Sequence, residues 1–303
     1  MAYAEIEQVI QYLDRHRPTE RTLATVRGYL DALVSMEPPA PDVSVELITV
    51  GGVPAERLMA PGNDPSRTLL YFHGGGYSLG SAKVYRPLAG RLARAFGGTT
   101  VVLDYRLAPE NPFPAGKDDA VSATRALIRE MGGPRRVVLG GDSAGGGLAL
   151  ATLLSLRDAG EPLPAAAALL SPWVDLEGTG ESVTTRAALD PIISREGLTN
   201  LGQLYVGNHD KRDPLVAATY AKLEGLPPLL MQVGTREIQF DDAVTFVEKL
   251  RRAGVAIDFE IWEGMLHVFQ LFPVLPDAQL AIDRIGSYLR SQVDGAHAAT
   301  EEK

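Results

Sequence analysis

A serine stands among glycines in the segment GGDSAGGG, residues 140–147. Residues 141–145 fit the pattern G-x-S-x-G, which places a serine on a sharp turn between a strand and a helix. The run RRVVLG before it predicts that strand, and LALATLLSL after it predicts the helix. Glycines suit such a turn because side chains there would collide with neighbouring backbone. The chemistry indicated is nucleophilic attack by the hydroxyl of Ser143.

Glycine clusters also bind phosphates, but the spacing here is wrong for that. A dinucleotide-binding loop needs glycines at i, i+2 and i+5, and neither GGDSAGGG nor the second cluster, HGGGYSLG, supplies them. No Gly-Lys-Ser or Gly-Lys-Thr triplet for a nucleoside-triphosphate loop is present. The alternative that remains is a glycine-rich helix start that packs against a sheet.

A serine nucleophile needs a base, and one of the five histidines is well placed to serve. His267, in WEGMLHVF, follows the last predicted strand, so it should lie at the carboxyl edge of the sheet. His16, His209 and His297 are expected at the surface. His73 ends a strand just before its glycine cluster and is expected to be a hydrogen-bonding scaffold.

The base needs an acid to orient it, and four carboxylates are candidates. Glu237 lies in the loop after the predicted strand PLLMQVG and is the favoured choice. Asp241 and Asp242 fall in the helix that follows, where the helix dipole stabilises carboxylates anyway. Asp175, just after the run AAAALLS, is a further candidate. The residues alone leave this choice open.

The second glycine cluster, HGGGY, follows the strand TLLYF. Consecutive glycines allow backbone N–H groups to face a cavity without obstruction, which is how an oxyanion hole is built.

Apolar runs alternate with helical patterns along most of the chain and predict an α/β fold with a mostly parallel sheet. The continuous apolar runs from residue 68 to residue 263 indicate strands buried on both faces, whereas the alternating run 44–50 indicates a half-buried antiparallel strand. The expected strands are 44–50, 55–61, 68–73, 99–105, 135–141, 165–171, 228–234 and 257–263. The expected helices are 83–96, 115–131, 143–159, 239–253 and 277–293, after two N-terminal helices within the first forty residues. The stretch 174–220 is too long for an ordinary connection, which makes it a candidate cap.

Composition narrows the class of protein. The 303 residues are 45% hydrophobic and 22% charged, as in ordinary globular proteins, and they include no cysteine. Disulfides, thiolate metal sites and cysteine nucleophiles are therefore excluded. The net charge of -9 argues against nucleic acid and anionic membranes as partners. The first residues lack a signal-peptide pattern and no run is long enough to span a membrane, so a cytoplasmic location is expected.

Taken together, the motifs resemble the bacterial esterases in the hormone-sensitive-lipase-like branch of the α/β-hydrolase family. The resemblance covers roughly residues 45–292, and the matching segments occur in the family's order. They are HGGGY, DYRLAPE, FPAGKDDA, GDSAGG and GMLHVF, with SPWVDL and GLPPLLMQVG as further matches.

The resemblance implies a serine carboxylesterase that hydrolyses short- to medium-chain esters through an acyl-enzyme, without metal or cofactor. It implies Ser143 as nucleophile, His267 as base, and an oxyanion hole from the amides of Gly75, Gly76 and Ala144. Homodimers, often formed through the last strand, are common in the family. The expected organisation is a cap segment (1–43), an α/β-hydrolase catalytic domain (44–293) with a cap insertion (174–220), and a flexible tail (294–303).

One departure bears on the acid. The family usually has aspartate followed two residues later by leucine, where this chain has Glu237-Ile238-Gln239. Glutamate also serves in this chain order, and some relatives are similar in carrying it. A non-catalytic hormone receptor on the same scaffold would lack the histidine that is present here. An amide hydrolase would need a terminus-binding site that the sequence does not show, while a lactonase or a deacetylase would use the same triad.

Overall fold

The computed structural model describes residues 3–20, 22–38 and 40–301. The eight strands are β1 (Ser44–Val50), β2 (Val53–Met59), β3 (Asp64–Phe72), β4 (Gly98–Leu103), β5 (Val137–Asp142), β6 (Ala167–Leu170), β7 (Leu229–Gly234) and β8 (Ile257–Trp262). The helices are α1 (Tyr3–His16), α2 (Leu23–Val34), α3 (Arg86–Phe96), α4 (Ala115–Glu130), α5 (Ala144–Asp158), α6 (Ser182–Thr185), α7 (Arg195–Val206), α8 (Phe240–Arg252) and α9 (Pro276–Glu301).

The strands form one sheet in the order β1-β2-β4-β3-β5-β6-β7-β8. β2 pairs antiparallel with β1 and with β4, whereas all pairs from β4 to β8 are parallel. The mostly parallel sheet predicted from the apolar runs is confirmed. Its parallel part sends the ends of β3, β5, β6, β7 and β8 to one edge, which is where such sheets carry their sites.

Apolar residues from both faces of the sheet form the core. On one face, Leu139 and Phe72 pack in a cluster with residues of α4, α5 and α8. On the other face, Tyr71 lies in a cluster with residues of α3 and α9. The central strands β4, β5, β6 and β7 are buried along their whole length, as continuous apolar runs require.

The two outer strands differ from expectation. The run from Ile257 was predicted to be buried on both faces, but β8 is the last strand of the sheet and its Ile261 is 51% exposed. At the opposite edge, β1 was expected to be half-buried, and it is exposed at most positions. The predictions were wrong because the burial of a strand depends on its neighbours in the sheet, and the sequence of the strand itself does not specify those neighbours.

Several boundaries also moved. The strand predicted from residue 135 begins at Val137, because Pro134–Arg136 forms a 3-10 turn. The strand predicted at 68–73 begins already at Asp64. The last helix continues to Glu301, through most of the segment expected as a flexible tail, and residues 302 and 303 lie outside the described residues.

The N-terminal helices pack on residues that follow the last strand and on the loops at the carboxyl ends of the strands. Ile6 and Leu13 of α1 are buried in a cluster with Phe269 and Phe272. In α2, the guanidinium of Arg27 makes two hydrogen bonds of 2.8 Å to the carboxylate of Glu110. The same side chain donates to the carbonyl oxygens of Ser78 and Ala108. The N-terminal segment is therefore held by apolar packing and by one multiply bonded arginine.

Candidate active site

Ser143 lies on the turn between β5 and α5, as the motif predicts. Its φ of +50° is in the left-handed region, which is strained for a residue with a side chain. Its N–H donates to the carbonyl of Leu170 at 2.9 Å, and its own carbonyl accepts from the N–H of Trp173 at 2.9 Å. A Cβ at Gly145 would lie 1.9 Å from the carbonyl oxygen of Phe72, so only glycine fits beside this turn. These contacts hold Ser143 at the carboxyl edge of the sheet.

His267 lies in the loop after β8 and is buried. Its Nδ1 donates to Oε2 of Glu237 at 2.9 Å, which leaves Nε2 as the ring nitrogen free to act on a substrate or a hydroxyl. Burial alone would lower the pKa of His267. The hydrogen bond and the charge of Glu237, with the charges of Asp190 and Asp142, outweigh burial and raise that pKa above its usual value.

Glu237 follows β7 and is fully buried. Its Oε1 accepts the N–H of Gly234 at 2.5 Å and the hydroxyl of Ser171 at 2.7 Å. Ser171 in turn accepts the N–H of Val268, the residue after the histidine, at 3.1 Å. The carboxylate is thus fixed on one oxygen while the other meets the imidazole, so the longer side chain of glutamate reaches His267.

The other three carboxylates considered as the acid are engaged elsewhere. Asp175 accepts from the N–H groups of Glu177 and Thr179. Asp241 accepts the N–H of Ser182, and Asp242 accepts that of Gly180. These hydrogen bonds fasten the insertion between β6 and β7 to itself and to the start of α8, and Glu237 is the carboxylate that meets His267.

The loop after β3 brings glycine backbone to the same place. Gly75 has a φ of +108°, and a Cβ there would lie 2.4 Å from the carbonyl oxygen of Leu79. Gly75 and Gly76 line a cavity together with Ser143 and His267. Ala144 is the first residue of α5, where N–H groups have no partner within the helix.

Asp142, the residue before Ser143, is hydrogen-bonded to the glycine loop after β3. Its carboxylate is buried and accepts the N–H of Gly74 at 3.0 Å. It also accepts the hydroxyls of Tyr71 and Tyr85, both at 2.9 Å. Burial raises the pKa of Asp142 to about 6, although these hydrogen bonds oppose the shift. Asp142 therefore links the serine turn to the glycine loop.

The cavity has a volume of about 450 Å³ and is lined more by apolar than by polar groups. The strand ends contribute Asp142, Ser143 and His267, whereas most of the apolar lining, together with polar residues such as Asp190, comes from α2, α7 and the segment that precedes α7. Its aliphatic side chains include Leu23, Val26, Leu30, Leu33, Ile192, Ile193, Leu198, Leu201 and Leu204. Such a cavity suits a small molecule with an apolar part and one polar reacting group.

Three other histidines have structural surroundings. His73 is buried and stacks on Tyr105, with ring centroids 4.5 Å apart, and burial lowers its pKa to about 4, which keeps it neutral. His16 stacks on Tyr12 at the surface, and exposed His209 pairs with Asp213. The side chain of His297 lies outside the described residues.

Sequence reasoning missed Ser171, Asp142 and Asp190 as parts of the site. Ser171 carried a usable signal, because it directly follows a buried strand and so had to reach the carboxyl edge. Asp142 lies inside the serine motif itself. Asp190 lies within the long insertion and gave no signal.

Among the residues that the structure describes, no group of three or more histidine, aspartate and glutamate side chains is arranged to hold a metal ion. No helix in this part of the chain is long and apolar enough to cross a membrane.

Known proteins match this chain in sequence and fold. Residues 69–271 match the family model described as an alpha/beta hydrolase fold. A protein named acetyl-hydrolase from Streptomyces hygroscopicus is 45% identical over 81% of this chain and 82% of its own length. An esterase from Acinetobacter venetianus is 34% identical over 90% of this chain and 91% of its own.

Solved structures agree with this match. An esterase from the bacterial hormone-sensitive lipase family superimposes with a TM-score of 0.93, at 45% identity, covering 95% of this chain and 98% of that one. Because the family model covers residues 69–271 and the relatives and this solved structure each cover 81% or more of the chain, the protein belongs to the hormone-sensitive-lipase-like branch of the α/β-hydrolases and is a carboxylic ester hydrolase.

Proposed function

We propose that Ser143, His267 and Glu237 form the catalytic triad of this esterase, with the backbone N–H groups of Gly75, Gly76 and Ala144 as the oxyanion hole. The observation that carries the proposal is one cavity lined by both Ser143 and His267, with Glu237 hydrogen-bonded to Nδ1 of His267.

In the first half of the reaction, His267 Nε2 accepts the proton of Ser143 while the hydroxyl oxygen attacks the ester carbonyl. The negative charge that forms on the carbonyl oxygen is stabilised by the three amides, and each such hydrogen bond contributes about 2.7–4 kcal/mol in comparable enzymes. Glu237 stabilises the imidazolium. The C–O bond to the alcohol then breaks, and His267 returns the proton to the departing oxygen.

In the second half, water takes the place of the alcohol. His267 removes its proton, the hydroxide attacks the acyl-serine, and the carboxylic acid leaves as Ser143 recovers its proton. No metal or organic cofactor takes part in these steps.

We propose short- to medium-chain esters of small molecules as substrates. The cavity of about 450 Å³ supports this, as do relatives named acetyl-hydrolase and carboxylesterase. The alternatives of a lactonase or a deacetylase would use the same residues, and a panel of activated esters from acetyl to lauryl beside lactone and acetylated substrates distinguishes them.

The test of the nucleophile is covalent labelling. A fluorophosphonate should add one phosphonyl group to the wild-type protein, on the tryptic peptide that contains Ser143, and should leave Ser143→Ala unlabelled. Ser155→Ala is the matched control, since Ser155 is the other serine of that peptide and bonds to the carbonyl of Ala151 within α5; this variant should still label. Phosphonylation of a different residue would refute the assignment.

We further propose a cap formed by residues 1–43 and 174–220 over the catalytic domain, 44–293. It is supported by the positions of α2 and α7 along the cavity and by the hydrogen bond of 2.6 Å from Arg17 to the carbonyl of Pro191, which joins the two cap segments.

A homodimer through β8 is proposed as well. β8 is the outermost strand, and its Ile261 is 51% exposed. An unpaired edge with apolar side chains is suited to pairing with a second copy. Sedimentation velocity should give a dimer, and Ile261→Lys should give a monomer; a monomeric wild type would contradict the proposal.

We place the protein in the cytoplasm. Cell fractionation tests the location, and recovery outside the cytoplasmic fraction would contradict it.

A further inference from the structure

Asp190 is a buried carboxylate in the cavity that the proposed mechanism does not use. It lies in the insertion between α6 and α7, is 8% exposed, and lines the cavity with Ser143 and His267. Its Oδ1 accepts the N–H groups of Ile192 and Ile193, at 2.9 and 3.0 Å, and its Oδ2 accepts that of Ile238 at 3.0 Å. Because N–H groups only donate, three of them on two oxygens favour the ionised carboxylate.

The bond to Ile238 is important because this residue directly follows Glu237. The carbonyl of Ile238 is also held, by the hydroxyl of Ser182 at 2.7 Å. The insertion therefore forms hydrogen bonds with both the N–H and the C=O of Ile238, the residue beside the proposed triad acid.

Two arginines form further hydrogen bonds between the insertion and the loop that carries Glu237. Arg186 of the insertion donates to the carbonyl of Thr235, and Arg236 donates to the carbonyl of Leu189 at 3.4 Å. The loop that carries Glu237 is thus fastened on both sides to the segment 182–190, which includes Asp190.

Asp190 also contributes charge to the site. The groups that act electrostatically on His267 are Glu237, Asp190 and Asp142. Burial raises the pKa of Asp190, and the charge of His267 opposes this. Removal of a negative charge near an imidazole lowers its pKa, so a neutral residue at 190 should make His267 easier to deprotonate and its protonated form less stable.

We propose that Asp190 is a positioning residue that holds the Glu237 loop and the adjacent cavity wall in one arrangement and stabilises His267 when it becomes protonated during attack. The proposal rests on the proposed function of Ser143, His267 and Glu237. Asp190 acts through these residues and takes no bond to the ester.

The test is the pH profile of kcat/KM for an activated acetyl ester, measured with wild type and Asp190→Asn. Asparagine keeps the shape, removes the charge and leaves one N–H without an acceptor. We expect the acid limb to move down by about half a pH unit or more. At pH 8 we expect kcat to fall about tenfold or more, because small displacements of catalytic groups are costly. Asp190→Glu should restore the position of the acid limb.

Two further variants separate charge from structure. Asp175→Asn is the matched control, since Asp175 is a buried carboxylate of the same insertion that accepts backbone N–H groups; its acid limb should match wild type. Ser182→Ala keeps every charge and removes one hydrogen bond to Ile238, so its kcat should fall while its acid limb stays in place.

The proposal is overturned if Asp190→Asn keeps the wild-type acid limb, or if Asp175→Asn moves it equally. Circular dichroism checks that each variant folds. If Asp190→Asn does not, Ser182→Ala decides, and wild-type kcat in that variant overturns the positioning role. Failure of the proposed function would look different, because Ser143→Ala would then retain activity.

Discussion

The strand-end part of the cavity lining is held by hydrogen bonds, whereas the helical part consists largely of aliphatic side chains. On the strand side, Ser143 is hydrogen-bonded through its N–H and its carbonyl to Leu170 and Trp173, and Glu237 is hydrogen-bonded to Gly234, Ser171 and His267. On the helical side, α2 is fixed at Arg27 and presents leucines such as Leu33 to the cavity. Hydrogen bonds fix direction, while apolar packing fixes volume. The strand side should therefore control the rate of chemistry, and the helical side should control which acyl chains fit.

The largest effect should come from the strand side. Glu237→Gln removes the charge that stabilises the imidazolium and should lower kcat by about 10³–10⁴-fold with little change in KM, by analogy with the aspartate of other serine hydrolases. Steady-state kinetics on an acetyl ester measures both constants. Glu56→Gln is the matched control, since Glu56 is also buried but is paired with Arg86; its kcat should be near wild type. A Glu237→Gln variant whose kcat lies within tenfold of the wild-type value would contradict the claim that the strand side controls the rate of chemistry.

The pH dependence of kcat/KM should be set by His267 and the carboxylates around it, mainly on the strand side of the cavity. The free base is the neutral imidazole, so kcat/KM should fall as the pH drops through the pKa of His267, about tenfold per pH unit below it. Burial opposes the shift, but Glu237, Asp190 and Asp142 raise this pKa, so the midpoint of the acid limb should lie above the reference value of about 6.5. A pH titration of kcat/KM measures it. A midpoint clearly below that value would contradict the electrostatics of the site.

The smallest effect should come from the helical side. Leu33→Ala enlarges the cavity and should raise the ratio of kcat/KM for octanoyl over acetyl esters by about 3- to 10-fold, while kcat for acetyl changes little. The cost in stability should be about 2–5 kcal/mol. Leu13→Ala is the control, because Leu13 is buried in the same apolar cluster but does not line the cavity; it should lose similar stability and keep the ratio. Equal ratios in both variants would show that the helical lining does not select chain length.

The same division separates what the sequence could predict from what it could not. Ser143 and His267 were identifiable because a local motif or the end of a buried strand marks each of them. Ser171 was marked only by its position after a buried strand and Asp190 was not marked at all, because their roles depend on contacts with residues 66 and 48 positions away along the chain. Strands were predicted from their apolar runs. Ile261 was expected to be buried and is exposed, because the sequence of a strand does not specify its position in the sheet. The sequence did not identify the residues of the helical lining, because they depend on how α2 and α7 pack on the sheet and its loops.

The central claim is that the hydroxyl of Ser143 carries the acyl group. Its most direct test is rapid mixing of the protein with p-nitrophenyl acetate, followed by quenching in acid and mass measurement of the intact chain and of its peptides. The account predicts a transient acetyl group on Ser143 in wild type, and neither acetylation nor turnover in a folded Ser143→Ala variant. Turnover by that variant near the wild-type rate, or an acetyl group carried by another residue, would contradict it.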